Sequence, residues 1–248
     1  MADIPSSIYD ELEKIYAEDL NLRDSWKHEQ KVIHELLPKI AEEISYNYAL
    51  VKAKAVGGGG IILVVGDKNL KVQRALKIAR PSLGKEALLA RVLLAETENL
   101  IRLSHQNLIH IYGQGVPSYE GTDFPYYIME YVEGVKDSDK FLSQDNVTER
   151  DVLQVFAGSV AAVEYLHRQD TVHMDIKPAN ILITPEGIPL LSDLGFAKRL
   201  RAISGYTIIG GTEGYIHPEA RELVQQIASD PNRLTCLLYT SPSPRDRS

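Results

Sequence analysis

Asp175, Lys177 and Asn180 fall within six positions of one another in "VHMDIKPANILI", residues 172–183. An acid, a base and an amide so close together can hold and move charge, and the apolar "NILI" behind them has the character of a buried anchor. A solvated loop has no use for that anchor, and a buried strand does not carry three polar groups just ahead of it. The stretch reads as a site mounted on a core. Taken singly, its members are ordinary: Asp175 with Lys177 is also a solvated turn pair, Asn180 a strand-end cap, and Asp193 with Gly195 a plain turn. A second candidate is the glycine run at 57–60. Between two strands it leaves little side chain to obstruct a ligand, and its amides can approach phosphate oxygens. Alone, the same run is a flexible hairpin tip.

Such groups need a framework. The 248 residues, 44% apolar and 25% charged, suit one large globular domain or two lobes. Residues 1–50 hold 11 acids against 5 Lys or Arg, so nearly all of the net charge of −7 sits there. No basic surface is advertised, which excludes nucleic acid as an expected partner. A single cysteine, Cys236, and an opening "MADIPSSIYDE" without a basic start or apolar run imply a reducing, cytoplasmic setting. The longest apolar run, "IILVV", is far short of the ~20 residues of a membrane helix.

Three regions follow from the hydrophobic pattern. Ile8, Leu12 and Ile15, then Ile33, Leu36, Leu37, Ile40 and Ile44, recur at helical spacing, and Pro38 is expected to separate two helices or kink one. This acidic segment reads either as a helical cap packing its stripe on the neighbouring domain or as a regulatory or dimerising arm. From about residue 48, "YALVKAKAVGGGGIILVVGDKNLKVQRALKIARP" reads as three antiparallel strands with turns at the glycines and at "GDKN".

Lys77 in "ALKIA", a helical stretch holding Glu96, then "HQNLIHIYG", "YYIMEYVEG", "VHMDIKPANILI", "LSDLG" and "GTEGYIHPE" follow one another along the chain. In content and order this resembles a eukaryotic-type protein kinase over roughly residues 50–220. The resemblance implies dependence on ATP and Mg2+, with Asn180 and Asp193 holding the metal through hard oxygen donors. It implies that Asp175 orients a substrate hydroxyl and accepts its proton, and that Lys177 is a fixed positive charge near the transferred phosphate. Lys77 would reach the inner phosphates, held by Glu96. Gly57 and Gly59 would approach the phosphates, and Val64, Ala75 and Leu182 would sandwich the adenine. "MEYVEG" would link the lobes, with Met129 at the back of the pocket and the backbone of Glu130 and Val132 at the adenine edge. His173 would be a packed core histidine supporting the loop. The Lys of "DIKPAN" and the "GTEGYIHPE" stretch with Thr212 favour serine/threonine residues of proteins over tyrosine or small molecules as acceptors.

The chain departs from that family in three places. Ile62 stands where a third glycine is usual, and its branched side chain restricts the backbone. Met174 replaces an arginine that commonly receives an activation-loop phosphate. Only 29 residues follow Glu219, fewer than the large lobe normally needs. The fold expected is α+β, a bilobal kinase-like fold with a five-stranded antiparallel small lobe and one main helix, and a mostly helical large lobe that is incomplete. Its segments are 1–47, an acidic helical extension; 48–133, the small lobe; 134–234, a partial large lobe; and 235–248, a disordered or artefactual tail. The expected activity is ATP- and Mg-dependent phosphoryl transfer to protein Ser/Thr hydroxyls. The alternative is a catalytically inactive kinase-like nucleotide-binding or scaffold fragment.

Overall fold

A computed structural model describes residues 4–57, 60–81, 100–194, 197–199 and Tyr215. The chain divides into two units, Met1–Leu103 with His110–Val132, and Ser104–Ile109 with Glu133–Ser248.

The first unit begins with two helices, α1 (Ser7–Glu18) and α2 (Arg23–Ile44). Ile8 and Leu12 on α1, and Ile33, Leu36, Leu37, Ile40 and Ile44 on α2, are buried, so the helical spacing of the sequence becomes two apolar stripes; on α1 the third fully buried position is Tyr16, with Ile15 only partly buried against the core. Pro38 lies inside a single α2 rather than at a break. Its interior position costs about 3 kcal/mol of helix stability. The buried residues on either side of it belong to one core cluster, and that shared packing holds both halves in one helix.

The sheet beneath has five antiparallel strands in the order β1-β2-β3-β7-β4: β1 (Tyr48–Gly57), β2 (Gly60–Asp67), β3 (Gln73–Ile78), β4 (Ile111–Gly115) and β7 (Tyr126–Glu130). A small hairpin, β5 (Ser118–Tyr119) and β6 (Thr122–Asp123), interrupts the run from β4 to β7. Alternation along the strands sorts the side chains onto two faces. Leu63, Val65, Leu76, Ile78, Tyr126 and Ile128 join the core formed with α1 and α2. Val64, Ala75, Lys77 and Met129 fall on the other face. The edge strand β1 is covered where the Glu11 carboxylate accepts the Ala53 N–H at 2.7 Å, which occupies a backbone donor that an edge leaves unpaired. The main small-lobe helix expected around Glu96 lies outside the described residues.

In the second unit, α3 (Ser138–Leu142) and α4 (Glu149–Arg168) accompany short strands. A reciprocal capping box between Thr148 and Asp151 starts α4, satisfying two backbone donors at once. Ala162 and Leu166 are fully buried. Strands β8 (Lys136–Asp137), β10 (Ile181–Ile183) and β11 (Pro189–Leu191) make one small sheet, and β9 (Thr171–Val172) pairs with β12 (Lys198–Arg199). Buried Asn107 donates through Nδ2 to Pro189 O at 2.8 Å, and Leu191 N–H donates to Asn107 O at 2.8 Å. A Cβ on Gly158 of α4 would stand 2.4 Å from Pro189 Cγ, so α4 and β11 approach at a distance only glycine permits. The helical remainder expected of the large lobe and the 235–248 tail lie outside the described residues.

Candidate active site

In the second unit the polar groups of "DIKPAN" converge. Pro178–Asn180 form a single 3-10 turn between the β9 side of the loop and β10, so Asn180 is placed back over Asp175. Its Nδ2 donates to Asp175 O at 2.7 Å and to Asp175 Oδ2 at 2.9 Å. Lys177 Nζ lies 2.9 Å from the same Oδ2. Asp175 is only 3% exposed, a burial that a carboxylate tolerates when charged and neutral donors meet it together. Both Nδ2 hydrogens of Asn180 are spent on Asp175, so Oδ1 is the end of the amide that can meet a cation.

Asp193 is tied to this group through its neighbour. Ser192 N–H and Oγ donate to Asn180 O at 2.8 and 3.1 Å, which fixes the strand end from which Asp193 departs. Asp193 and Met174 both hold left-handed backbone, φ 60° and 69°, a conformation that costs a non-glycine residue roughly 1–2 kcal/mol. Leu194 beyond them is buried. Leu182, half-buried on β10, pairs with Leu190 and Asp137.

His173 joins the two strands of the site. Its Nε2 donates to Ser192 O at 2.8 Å, and its Nδ1 accepts the Asp175 N–H at 3.3 Å. Both nitrogens are used by the neutral ring, and a second ring proton would face an N–H. Burial holds the His173 pKa below its ordinary 6.5, against the opposing pull of the Ser192 carbonyl, Asp193 and Asp175, with Lys177 adding to the lowering. The unfolded chain therefore binds this proton first as the medium is acidified. The contribution of His173 to stability is whole above about pH 6.5 and is lost progressively below it. We expect the denaturation midpoint of the second unit to fall over that acid range, and this part of the slope to be absent in His173→Gln. A slope identical in both proteins would contradict the assignment.

In the first unit, register places the remaining candidates in two rows. Val64, Ala75 and Met129 are direct partners across β2, β3 and β7, and Ile62, Lys77 and Tyr127 form the next row. The Glu130 N–H donates to His110 O at 2.8 Å, so the backbone group that Glu130 can offer a ligand is its carbonyl. Val132 closes the unit. Gly57 pairs with Gly60 at the tip of the β1–β2 hairpin, and nothing lies within 4 Å of where its Cβ would be. Gly59 and Glu96 lie outside the described residues.

Among the described glycines of the run, the one that the backbone requires is not the one that the resemblance singles out. Gly60 has φ 137°, and a Cβ there would stand 2.5 Å from Ile78 O and 3.5 Å from Lys77 Cε. The hairpin thus lies against the stem of Lys77. Within the run of four, nothing in the sequence singles out this position. The roles of Ser192 and Asn107 were equally hidden, since a serine before "DLG" and an asparagine in "HQN" carry no sign of their buried bonds.

Comparison with known proteins adds to this geometry. The protein kinase domain family model matches residues 51–240. Serine/threonine-protein kinase PknB of Mycolicibacterium smegmatis is 27% identical over 203 residues, 80% of this chain and 32% of that protein. The probable serine/threonine-protein kinase PknB of Bifidobacterium longum is 31% identical over 196 residues, 74% of this chain and 28% of that protein. The chain thus spans about a third of the length of these curated relatives. A crystal structure of the Mycobacterium tuberculosis PknI kinase domain superposes with a TM-score of 0.51 at 24% identity, covering 60% of this chain and 59% of that one, a likeness of fold.

Proposed function

Because the chain belongs to the protein kinase domain family, we propose that it transfers the terminal phosphoryl group of ATP to serine or threonine hydroxyls of a protein. The observation that carries this reading is the buried Asp175 carboxylate, whose Oδ2 is held by both Lys177 and Asn180. The relatives named serine/threonine-protein kinases support the acceptor class.

The donor set suits magnesium. Among the described residues no group of three or more His, Cys, Asp or Glu could hold a metal ion, which disfavours a closed protein cage. One carboxylate, Asp193, and one carboxamide oxygen, Asn180 Oδ1, are what a cation needs when it keeps waters and phosphate oxygens as its other ligands. Bound magnesium supplies charge neutralisation at the phosphates.

The chain's own residues do the rest. Asp175, fixed in orientation by Lys177 and Asn180, lines up the acceptor hydroxyl and takes its proton. Lys177 stays beside it as a cation, so the oxygens gaining charge face an ammonium already in place and no reorganisation is required. On the first unit, Lys77 meets the inner phosphates and the Glu130 carbonyl with the Val132 backbone meets the adenine edge. Val64 and Ala75, on the same unit, pack on the ring. With Met174 in the arginine's place, no side chain at that position receives an activation-loop phosphate, and activity does not depend on that contact.

Transfer of radiolabel from ATP to a generic basic protein tests the proposal. We expect magnesium-dependent label on serine and threonine, lowered about 100-fold or more by Asp193→Ala, as loss of a charge-stabilising contact in a desolvated site implies. Label that is equal in wild type and Asp193→Ala excludes the site, and label on tyrosine excludes the acceptor class.

A further inference from the structure

The α1–α2 pair is tied to the sheet by more than its apolar stripes. Glu29 on α2 is 1% exposed. Its carboxylate accepts the Tyr16 hydroxyl at 2.5 Å, Arg80 Nε at 3.2 Å and Arg80 Nη2 at 2.6 Å. Arg80, also buried, stands just past the end of β3, three residues beyond Lys77. Its guanidinium lies 5.8 Å from the Tyr16 ring centre. One acid thus joins both N-terminal helices to the exit of the strand that carries Lys77.

Burying a carboxylate and a guanidinium carries a desolvation penalty that packed leucines would not incur, so adhesion alone does not call for this pair. A two-point guanidinium–carboxylate fork supplies direction. It fixes the plane of the Arg80 side chain and with it the path of the backbone leaving β3. Neighbouring contacts hold the same few residues: Ala79 N–H donates to Pro125 O at 3.2 Å, and the Gly60 backbone stands against Ile78 O and the Lys77 stem. The end of β3 is therefore held from the hairpin, from the loop before β7, and from the helical pair.

We propose that Glu29 is a positioning residue: through Arg80, the N-terminal helical pair sets the placement of Lys77 and thereby the affinity of the first unit for the phosphates of a nucleotide. The statement about affinity rests on the kinase reading above. It makes the acidic extension a control element of the nucleotide site, in addition to its role as a cover for the sheet.

The test is a Glu29→Leu/Arg80→Leu double variant of the full chain, which replaces direction with apolar packing. The melting midpoint, the Kd of a fluorescent ATP analogue with magnesium, KM and kcat for ATP, and hydrogen exchange over Gln73–Arg80 are read. The expected result is a midpoint close to wild type, Kd and KM for ATP raised about tenfold with kcat at saturating ATP retained, and faster exchange at Lys77–Arg80. A folded double variant with wild-type Kd, KM and exchange overturns the proposal. If wild type itself binds no nucleotide, the kinase reading fails separately, and exchange alone decides: faster exchange confined to the end of β3 supports positioning by Glu29, and unchanged exchange overturns it. Should the double variant not fold, Glu29→Gln, which keeps the shape of the side chain and removes its charge, is read by Kd, KM and exchange with the same signs, while its midpoint falls because the buried Arg80 guanidinium loses its counter-charge.

Discussion

Asp175→Asn lowers kcat for phosphoryl transfer by about 10²–10⁴-fold and leaves the chain folded. Asparagine fills the same volume, and its side-chain oxygen can still accept from Lys177 or Asn180, the two donors that meet Asp175 Oδ2. What the amide lacks is the basicity to take a proton and the charge that balances Lys177. The stability cost is expected at about 1–3 kcal/mol, the penalty for weakening bonds to a buried charged group. Because the change acts on proton acceptance, KM for ATP stays near wild type while kcat falls. Steady-state kinetics beside a melting curve separates the two effects. A variant with wild-type kcat would remove Asp175 from the chemistry, and one that is inactive only because it is unfolded would show it in the melt.

Gly60→Ala is expected to destabilise the first unit by about 3 kcal/mol, a drop in melting midpoint of roughly 6–12 °C. Two causes act together. At φ 137° an L side chain is strained, and the new Cβ would stand 2.5 Å from Ile78 O. The obstructing atom is backbone in a strand paired on both sides, so it cannot turn aside as a flexible side chain would. Relief has to come from lifting the hairpin away from β3, which also withdraws the wall along the Lys77 stem, so KM for ATP rises as well. Gly57→Ala is the control, since its Cβ meets nothing within 4 Å and its cost stays within about 1 kcal/mol. Equal melting of the two variants would contradict this account of the hairpin.

The difference between these glycines shows what the sequence carries and what it does not. Four glycines between alternating apolar runs are enough to place a hairpin, and the runs themselves give β1, β2 and β3 their faces. The helical stripes of α1 and α2 were legible for the same reason: periodicity is a local property that burial then selects. Close approach is not local. That Gly60 must be glycine depends on Ile78, which pairing of β2 with β3 brings alongside. Pro38 left a break and a kink open in the same way, and packing on both sides of it selects one helix over a break.

The candidate site divides along the same line. Asp175, Lys177 and Asn180 are near neighbours in the chain, so their grouping could be read directly, and a single 3-10 turn suffices to bring Asn180 onto Asp175. His173 bonds to Ser192, 19 residues on, and Glu29 to Arg80, 51 residues on. Among 11 acids in the first 50 residues, Glu29 has no local mark that distinguishes it from the exposed ones. Only the fold, by burying it beside Arg80, sets it apart.

The proposed activity requires Asn180 Oδ1 and the Asp193 carboxylate to hold magnesium at the outermost phosphate of bound ATP. A crystal structure of the chain with magnesium and a nonhydrolysable ATP analogue measures it directly. Both oxygens are expected at metal-ligand distance from the cation, about 2.0–2.1 Å, with Asp175 still held by Lys177 and Asn180. Nucleotide bound with either oxygen turned away from the metal, or no nucleotide bound at saturating concentration, would contradict it.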